Sequence, residues 1–333
     1  MPPSKIVVAQ PVENDVINDL SVFGSVFMND GPAPLTMDDL RRHSSNAVAL
    51  MAFMTECVDE DFLKACPDLQ IVAGALKGFD NIDVDACTRR NIAVTIVPDL
   101  LTEPTAELAI GLMIGVSRHM ISADQYVRSG QFSGWRPRFY GGSIHGATVG
   151  IVGAGRVGQA VLKLLSGFRC ERIYFDQTPL PADKEQALGA TYSPLDELKA
   201  RSDFVVLALP LTDATMGLVD ESFISDMKQG SYLINPARGS LVVESAVAKA
   251  LETGHIAGFA ADVFETEDWA RTCRPDEVHP SLMHSDRTML TPHIGSAVTD
   301  VRRAIVRSAA DSIKSVLKGN VPATAINAQD LSV

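Results

Sequence analysis

Short apolar runs rich in Val, Ile and Ala alternate along the chain with longer stretches of helical periodicity. This alternation predicts parallel strands covered by helices, because a strand rejoins a parallel sheet through a crossover helix. A first series of strands is predicted at Lys5–Gln10, Asn46–Phe53, Gln70–Ala75 and Ala93–Val97. A second series is predicted at Ala147–Val152, Arg172–Phe175, Asp203–Pro210, Ser231–Ala237, Ile256–Phe264 and Thr288–Ile294. We therefore expect an α/β protein with two Rossmann-like, doubly wound parallel-sheet domains and a cleft between them.

The longest predicted helix spans Thr105–Gly130, with Pro104 at its start and Gly130 at its end. Its first two turns are apolar on most faces, which is typical of a helix buried between domains or at a subunit interface. We therefore expect a homodimer formed through this region, and burial within a single subunit is the alternative. The last predicted helix, about Val298–Lys318, is amphipathic and would be free to pack back on the first domain.

The composition is that of an ordinary globular protein, with 46% hydrophobic and 21% charged residues in a chain of 333. This length corresponds to two domains at about 150 residues each. The formal net charge of −12 argues against a nucleic-acid or an anionic-membrane partner, since both require basic patches. A small anionic substrate stays compatible with this charge, because a local basic pocket can outweigh it.

The cysteines and the N-terminus favour a cytoplasmic protein. The cysteines are odd in number and form no CxxC pair, which predicts reduced thiols and no structural metal. The N-terminal sequence MPPSKIVVAQ is typical of a first strand rather than of a signal peptide. No apolar run approaches the roughly 18 to 20 residues of a membrane span.

A glycine-rich turn between a strand and a helix predicts a dinucleotide site. Gly153, Gly155 and Gly158 form a GxGxxG pattern, and Asp176 ends the next predicted strand. In this pattern the first glycine makes the tight turn, the second lets the backbone approach the pyrophosphate, and the third lets the helix pack on the strand. Asp176 is expected to accept hydrogen bonds from ribose hydroxyls, and the three residues directly after it, Gln177, Thr178 and Pro179, are neutral. NAD is therefore favoured over NADP.

Three residues with complementary chemistry follow the predicted strands of the second series: Arg238, Glu267 and His293. The carboxyl ends of parallel strands lie at one edge of a sheet, so these side chains are expected to converge. A histidine exchanges protons near neutral pH, a carboxylate orients it, and an arginine binds an anion. Each residue alone has a structural explanation, but together they predict a catalytic site.

The motifs that contain these residues resemble the D-2-hydroxyacid dehydrogenase superfamily from about Phe53 to Asn327. The matching segments are VGIVGAGRVGQA, LALPLTDATMGLV, LINPARGSLVVESAV, AADVFETED and LTPHIGS. The resemblance implies that residues 1–100 and 296–333 form a discontinuous substrate-binding domain and that residues 101–295 form an NAD-binding Rossmann domain. It implies that Arg238, Glu267 and His293 are the catalytic residues, and that Asp262 holds the nicotinamide carboxamide. The cofactor positions it implies are Gly153, Gly155, Arg156, Val157, Gly158, Asp176, Ala208, Leu209, Pro210, Thr105, Pro236, Ala237, Asp262, His293 and Gly295.

Several segments depart from the ordinary hydroxyacid pattern and resemble the phosphite (phosphonate) dehydrogenases of that superfamily. Lys77 lies in the turn ALKGFDNID, and Asp268, Trp269, Ala270 and Arg271 follow Glu267 where proline is usual. The segments MAFM and GWRPRFYG resemble the same enzymes. The substrate-binding positions that this resemblance implies are Lys77, Gly78, Met54, Arg238, Trp135, Tyr140 and Arg302.

The chemistry of phosphite fits these residues, because a small dianion without a carbon side chain requires more than one cation. Arg238 provides a planar fork, and Lys77 a second positive charge. The predicted reaction is phosphite + NAD⁺ + water giving phosphate + NADH, in which His293 or Arg238 activates the water. An NAD-dependent D-2-hydroxyacid dehydrogenase acting on a small 2-oxo or 2-hydroxy acid is the alternative. The intact Arg, Glu and His set argues against a non-catalytic NAD(H)-sensing regulator.

Overall fold

The structure is a computed structural model that describes residues 4–97, 99–268, 271 and 273–331. The described chain divides into two compact units. Unit 1 comprises three parts of the described chain: the residues up to Leu101, the single residue Arg271, and the residues from Ala297 onward. Unit 2 comprises Thr102–Asp268 and Cys273–Ser296. Both units are α/β structures built on parallel sheets, in agreement with the predicted fold class. Pro98, expected to end the first strand series, lies outside the described residues.

Unit 1 contains a parallel sheet of five described strands in the order β2-β1-β3-β4-β5. The central strands are apolar throughout because helices cover both faces of a parallel sheet. The strands are β1 (Lys5–Val8), β2 (Ser25–Met28), β3 (Ala47–Ala52), β4 (Ile71–Gly74) and β5 (Ala93–Thr95). The helices between them are α1 (Asn14–Ser21), α2 (Met37–Ser44), α3 (Glu60–Lys64) and α4 (Val84–Arg89).

The C-terminal segment packs into the core of unit 1. This segment contains the last described α-helix, α13 (Thr299–Leu317). Helix α13 buries Ile305, Val306 and Ile313 in the same hydrophobic core as the sheet. The side chain of Asn327 then accepts a hydrogen bond from the backbone N–H of Val94 at 3.0 Å. The return of the chain to its first domain, expected from the amphipathic pattern, is present in the structure.

Unit 2 contains a parallel sheet of seven described strands in the order β12-β11-β10-β9-β6-β7-β8. The chain runs outward from β6 in both directions, so the strand order reverses between β6 and β9. Ligands of such sheets bind outside the carboxyl ends of the strands at this reversal. The strands are β6 (Thr148–Val152), β7 (Glu171–Phe175), β8 (Thr191–Tyr192), β9 (Phe204–Leu207), β10 (Ser231–Asn235), β11 (Ile256–Ala261) and β12 (Thr288–Leu290).

The helices of unit 2 correct one prediction. The stretch expected to form a single helix from Thr105 to Gly130 forms two helices, which end and begin around His119. His119 has a φ of 52°, in the left-handed region, and this interrupts the helical hydrogen-bond ladder. The helices are α5 (Thr102–Ser117), α6 (Met120–Arg128), α7 (Arg156–Leu164), α8 (Ala182–Leu188), α9 (Leu195–Arg201), α10 (Glu221–Ser225), α11 (Glu244–Thr253) and α12 (Pro280–Met283).

The apolar surface of α5 is buried within unit 2 itself. Residues on several of its faces, among them Ala109, Leu112 and Met113, are fully buried. A Cβ at Gly115 would overlap the sulfur of Met289 on β12, so the helix lies directly against the sheet. The alternative of burial within one subunit therefore accounts for the composition of α5.

Two further features bear on the composition-based predictions. All five cysteines are free thiols, and Cys66 and Cys87 are buried. Within the ranges that the structure describes, no helix is both long and apolar enough to span a lipid bilayer.

Candidate active site

Arg238, Glu267 and His293 follow three neighbouring strands of the unit 2 sheet. Arg238 comes after β10, Glu267 after β11 and His293 after β12, and these strands are adjacent and parallel. Their carboxyl ends therefore lie at the same edge of the sheet. This arrangement is the one expected from the sequence.

Glu267 and His293 form a hydrogen-bonded pair. Oε2 of Glu267 lies 2.7 Å from Nδ1 of His293, and about a quarter of each side chain is exposed. The other carboxylate oxygen, Oε1, accepts a hydrogen bond from the backbone N–H of Phe264 at 2.6 Å. A carboxylate held in this way selects the imidazole tautomer with the proton on Nδ1, which leaves Nε2 as the nitrogen available to a substrate.

The loop that carries His293 is held by Asp262, which is 1% exposed. Its carboxylate accepts hydrogen bonds from the Thr291 hydroxyl at 2.6 Å and from the backbone N–H groups of Ile294 and Gly295 at 2.8 and 2.7 Å. Its backbone carbonyl accepts a fourth bond from the N–H of His293 at 2.8 Å. Burial raises the pKa of Asp262 above its ordinary value, while the hydrogen bonds oppose the rise. These bonds support a left-handed backbone at His293, whose φ is 56°.

Arg238 lies at the start of a short 3₁₀ turn, Gly239–Leu241, and is partly buried. The preceding turn is closed by Asn235, a fully buried residue at the end of β10. Its amide nitrogen donates to the carbonyl of Arg238 at 2.8 Å, and its amide oxygen accepts from the N–H of Ala237 at 3.1 Å. Pro236 and Ala237, predicted as cofactor contacts, are the middle residues of this turn.

The glycine pattern adopts the geometry of a dinucleotide turn. Gly153 has a φ of 102°, and a Cβ there would lie 2.5 Å from the carbonyl oxygen of Ala208. A Cβ at Gly158 would overlap the carbonyl of Gly153, so this glycine permits close packing of α7 on the turn. A Cβ at Gly155 would meet no atom within 4 Å. The turn is therefore crowded at Gly153 and Gly158, and open at Gly155, where α7 begins.

Asp176 follows β7 and lies beside the same turn. Its Oδ2 accepts a hydrogen bond from the backbone N–H of Ala154 at 2.7 Å, and its side chain is partly exposed. The segment after β9 borders the turn on the other side, with Ala208 and Leu209 against Gly153. Pro210 is exposed, and its carbonyl accepts a hydrogen bond from the Thr215 hydroxyl at 2.8 Å.

Thr105, Asp262 and Gly295 are also brought together. A Cβ at Gly295 would lie 3.2 Å from Oδ2 of Asp262 and 3.3 Å from the hydroxyl of Thr105. These three residues were predicted to be cofactor contacts. The open backbone at Gly155, the start of α7 at Arg156 and Val157, and the carboxylate of Asp176 fit NAD, because a helix N-terminus binds a pyrophosphate.

Three of the four substrate-binding residues predicted in unit 1 lie after neighbouring strands of its sheet, and the fourth, Arg302, lies on a helix. Met54 follows β3, and Lys77 and Gly78 follow β4; all three are partly buried. The guanidinium of Arg302, at the start of α13, lies 5.9 Å from the ring centroid of Phe53. Burial lowers the pKa of Arg302 below its ordinary value.

A buried network supports the loop of Met54. Glu56 is 2% exposed, and its carboxylate accepts hydrogen bonds from the N–H of Phe53 at 2.6 Å and from the amide of Gln10 at 3.2 Å. The amide of Asn81 donates to the carbonyls of Phe53 and Glu56 at 2.9 and 2.6 Å. The loop after β3 is therefore rigidly tied to the turn that contains Asn81.

Trp135 and Tyr140 lie in the segment between α6 and β6, where their side chains are 78% and 76% exposed. Neither side chain is buried in unit 2 beside Arg238, Glu267 or His293. Their role in substrate binding stays a prediction. Trp269 and Ala270, which mark the unusual sequence after Glu267, lie outside the described residues.

Three residues with clear structural roles at the site had not been predicted as site residues. Thr291 and Asn235 stand inside the quoted motifs LTPHIGS and LINPARGS, and a polar residue ending a buried strand is the signal that could have identified them. Asp268 accepts a hydrogen bond from a distant backbone N–H, and no local pattern indicates that bond. Among the described residues, no group of three or more His, Cys, Asp or Glu side chains is arranged to hold a metal ion.

Comparison with known proteins adds independent findings. Residues 110–295 match the family described as D-isomer specific 2-hydroxyacid dehydrogenase, NAD binding domain. The chain is 36% identical to a glyoxylate reductase of Pyrococcus furiosus over 99% of this chain and 97% of that protein. A crystal structure of a glyoxylate reductase from Paecilomyes thermophila is 27% identical, with a TM-score of 0.83, over 99% of this chain and 100% of that one. An NADPH-dependent glyoxylate/hydroxypyruvate reductase from Sinorhizobium meliloti, solved with NADP and malonate, is 28% identical, with a TM-score of 0.84, over 99% of both chains.

Proposed function

The chain belongs to the D-isomer-specific 2-hydroxyacid dehydrogenases, and we propose that it transfers hydride between NAD and a small anion at the site of Arg238, Glu267 and His293. The single observation that supports this most is the 2.7 Å contact between Glu267 and Nδ1 of His293 at the carboxyl edge of the NAD-binding sheet. When bound, NAD supplies the hydride acceptor and NADH the hydride donor. The protein supplies proton transfer, anion binding and orientation.

His293 is proposed as the general acid and base, acting through Nε2. In the oxidation direction Nε2 accepts a proton from the hydroxyl of a 2-hydroxy acid, or from the attacking water when the substrate is phosphite. In the reduction direction Nε2 returns a proton to the carbonyl oxygen of a 2-oxo acid. The negative charge of Glu267 stabilises the imidazolium that forms in between. A positioned base of this kind contributes roughly 10²–10⁴ in rate.

Arg238 is proposed as the anchor for the substrate anion. A guanidinium presents a planar pair of N–H donors that matches a carboxylate or a phosphorus oxyanion. The backbone of Arg238 is fixed by Asn235, whose amide donates to the Arg238 carbonyl at 2.8 Å. The side chain therefore projects from a defined position in the sheet edge.

For the substrate, the comparisons favour a small 2-oxo or 2-hydroxy acid. The similar proteins reported above carry the name glyoxylate reductase or glyoxylate/hydroxypyruvate reductase, and none is named as a phosphite dehydrogenase. Such a substrate already carries the oxygen that His293 would protonate or deprotonate. This candidate needs only Arg238, His293 and Glu267.

Phosphite is the second candidate substrate, and it is favoured by particular residues of this chain. Lys77 and Asp268 stand where the ordinary hydroxyacid pattern has other residues, and phosphite requires a second cation besides Arg238. In this reaction the P–H bond breaks with loss of hydride, water forms the new P–O bond, and one proton is released. His293 would take that proton from water, and Arg238 is the other candidate for activating it.

One comparison of substrates tests these proposals. NADH formation is followed with NAD⁺ and phosphite, D-lactate, D-glycerate or formate, and NADH consumption is followed with glyoxylate. Turnover of phosphite at least about tenfold faster than of any 2-hydroxy acid would support phosphite oxidation. The reverse order would support the hydroxyacid reaction, and no turnover with any of these substrates would contradict the proposed hydride transfer.

We further propose that the protein forms a homodimer through the region from α6 to Tyr140. This surface exposes apolar side chains within a short stretch of chain: Met120, Ile121, Val127, Phe132 and Trp135 are each 45% or more exposed. Large exposed apolar patches on a soluble protein mark interaction surfaces. Light scattering coupled to gel filtration should give twice the chain mass, and Ile121→Asp should shift the mass to that of one chain. A single-chain mass for the unmodified protein would contradict the proposal.

A further inference from the structure

Asp268 directly follows Glu267 and is 5% exposed. Its Oδ2 accepts a hydrogen bond from the backbone N–H of Ser240 at 2.7 Å. Ser240 stands two residues after Arg238, so this bond links the segment of Glu267 to the segment of Arg238. A buried carboxylate loses its hydration, and an N–H group that binds it recovers part of that loss.

A second contact joins the same two segments. Gly239 packs so closely on the peptide between Phe264 and Glu265 that a Cβ there would overlap the carbonyl of Phe264. The 3₁₀ turn Gly239–Leu241 and the 3₁₀ turn Glu265–Glu267 therefore meet through their backbones. The hydrogen bond from Ser240 to Asp268 lies beside this backbone contact and joins the same two turns.

We propose that Asp268 is a positioning residue that fixes the separation between Arg238 and the pair formed by Glu267 and His293. The inference rests on the proposed function, because that function requires the anion bound by Arg238 to meet Nε2 of His293. Arg238 begins one of the two turns and Glu267 ends the other, and Asp268 binds across them. A displacement of about 1 Å between reacting groups can reduce the rate by about 100-fold.

The Glu267 turn has a separate support that does not depend on Asp268. Glu244 and Glu265 exchange two bonds, each from the backbone N–H of one residue to Oε1 of the other, at 3.0 Å. Oε2 of Glu244 also accepts from the N–H of His279 at 2.7 Å. We therefore expect the turn to persist when Asp268 is replaced, while its distance from the Arg238 turn changes.

The test compares Asp268→Ala with Asp268→Asn, because the amide oxygen of Asn can still accept from Ser240. Kinetics are measured with phosphite and NAD⁺ and with glyoxylate and NADH, using whichever pair the unmodified protein turns over. Asp268→Ala should lower kcat/KM for the anion by about tenfold to 100-fold and raise its KM, with the KM for the nucleotide unchanged within twofold. Asp268→Asn should restore most of the loss. Asp220→Ala, which removes a 2.8 Å bond to the N–H of Phe223 elsewhere in unit 2, is the matched control and should leave both KM values unchanged.

Hydrogen exchange separates this inference from the proposed function. In Asp268→Ala the peptide containing Ser240 should exchange its amides faster than in the unmodified protein, and in Asp268→Asn it should not. This measurement holds even if none of the assayed substrates is turned over. If Asp268→Ala does not fold, Asp268→Ser replaces it, since its shorter hydroxyl does not reach Ser240. An unchanged exchange rate, an unchanged KM for the anion, or an Asn variant as impaired as the Ala variant would overturn the proposal.

Discussion

The carboxylate of Glu267 contacts His293 and its own backbone turn at the same time. Oε2 lies 2.7 Å from Nδ1 of the imidazole, and Oε1 accepts from the N–H of Phe264 at 2.6 Å. The carboxylate is therefore oriented before any substrate binds, and it fixes which imidazole nitrogen remains available. We therefore expect different effects from replacing His293 and from replacing Glu267.

Replacing His293 by Asn should remove turnover, by roughly 10²–10⁴ in rate, because the amide exchanges no proton near neutral pH. Glu267→Gln should be less severe, because the amide can still hold the imidazole ring while the charge that stabilises the imidazolium is lost. Steady-state kinetics check both results, and a Glu267→Gln variant as impaired as His293→Asn would contradict the assignment.

Binding of NAD is the control for His293→Asn. The adenosine end is expected at Gly155 and Asp176, and β7 lies five strands from β12 in the sheet order. At about 4.8 Å between strands this separation is roughly 24 Å. Calorimetry should therefore give an NAD affinity close to that of the unmodified protein, and a large loss of affinity would indicate a wider structural change.

Two glycines of the dinucleotide turn should respond differently to alanine. Gly158→Ala should lower stability by about 1–3 kcal/mol, because its Cβ would overlap the carbonyl of Gly153. Gly155→Ala should leave stability within about 0.5 kcal/mol, because no atom lies within 4 Å of its Cβ position. The same variant should weaken NAD binding by about tenfold, since the open space is where the pyrophosphate is expected. Urea unfolding and calorimetry give the two quantities, and equal stability losses in both variants would contradict this assignment.

The sequence predicts the central strands well, because strands buried on both faces produce continuous apolar runs. It missed β2 (Ser25–Met28) and β8 (Thr191–Tyr192), two of the four edge strands of the two described sheets. Edge strands are covered on fewer sides, and the residues of β2 are mostly only partly buried. It also joined α5 to α6, because a left-handed backbone at a residue such as His119 has no signature in the sequence.

The placement of the candidate site residues could be predicted in part. Arg238, Glu267 and His293 were expected at one edge of the sheet because strand ends converge in a parallel sheet, and their catalytic role stays a prediction. The bond from Asp268 to Ser240 joins residues 28 positions apart, and Asp268 was noticed only as a departure from proline. Such a contact depends on the packing of two turns, which no hydrophobic period encodes. The exposure of Trp135 and Tyr140 likewise depends on tertiary structure, and the sequence alone did not indicate it.

Lys77 is expected to bind phosphite, the second candidate substrate. Lys77→Ala should raise the KM for phosphite by about tenfold or more, because it removes a charged partner of a dianion. The proton chemistry at His293 should be unaffected, so kcat should fall less than kcat/KM. Lys64→Ala, at an exposed lysine of unit 1, is the control and should leave the KM unchanged. A normal KM for phosphite in Lys77→Ala would contradict the role proposed for this lysine.

The cysteines should differ sharply in reactivity. Burial raises the pKa of Cys66 to about 11 and that of Cys87 to about 12. At pH 8 only about one Cys66 thiol in a thousand is then a thiolate, which is the reactive form. Cys273 is exposed. Iodoacetamide at pH 8 should therefore modify Cys273 first in the folded protein and reach Cys66 and Cys87 only after unfolding, as measured by peptide mass spectrometry. Rapid modification of Cys87 in the folded protein would contradict its burial.

The choice between NAD and NADP should depend on the charge at Asp176. A carboxylate beside the ribose repels a 2′-phosphate, and the neighbouring Gln177 offers no positive charge to bind one. Asp176→Ala combined with Gln177→Arg should therefore shift the kcat/KM ratio toward NADP, by about tenfold or more. Because Asp176 also accepts a 2.7 Å bond from the N–H of Ala154, Asp176→Asn is the matched control. The amide oxygen keeps the bond to the turn while the charge is lost, so this control should relax the discrimination without lowering stability. If Asp176→Asn and the double variant both kept the original ratio, the contacts that discriminate the ribose would lie elsewhere in the turn.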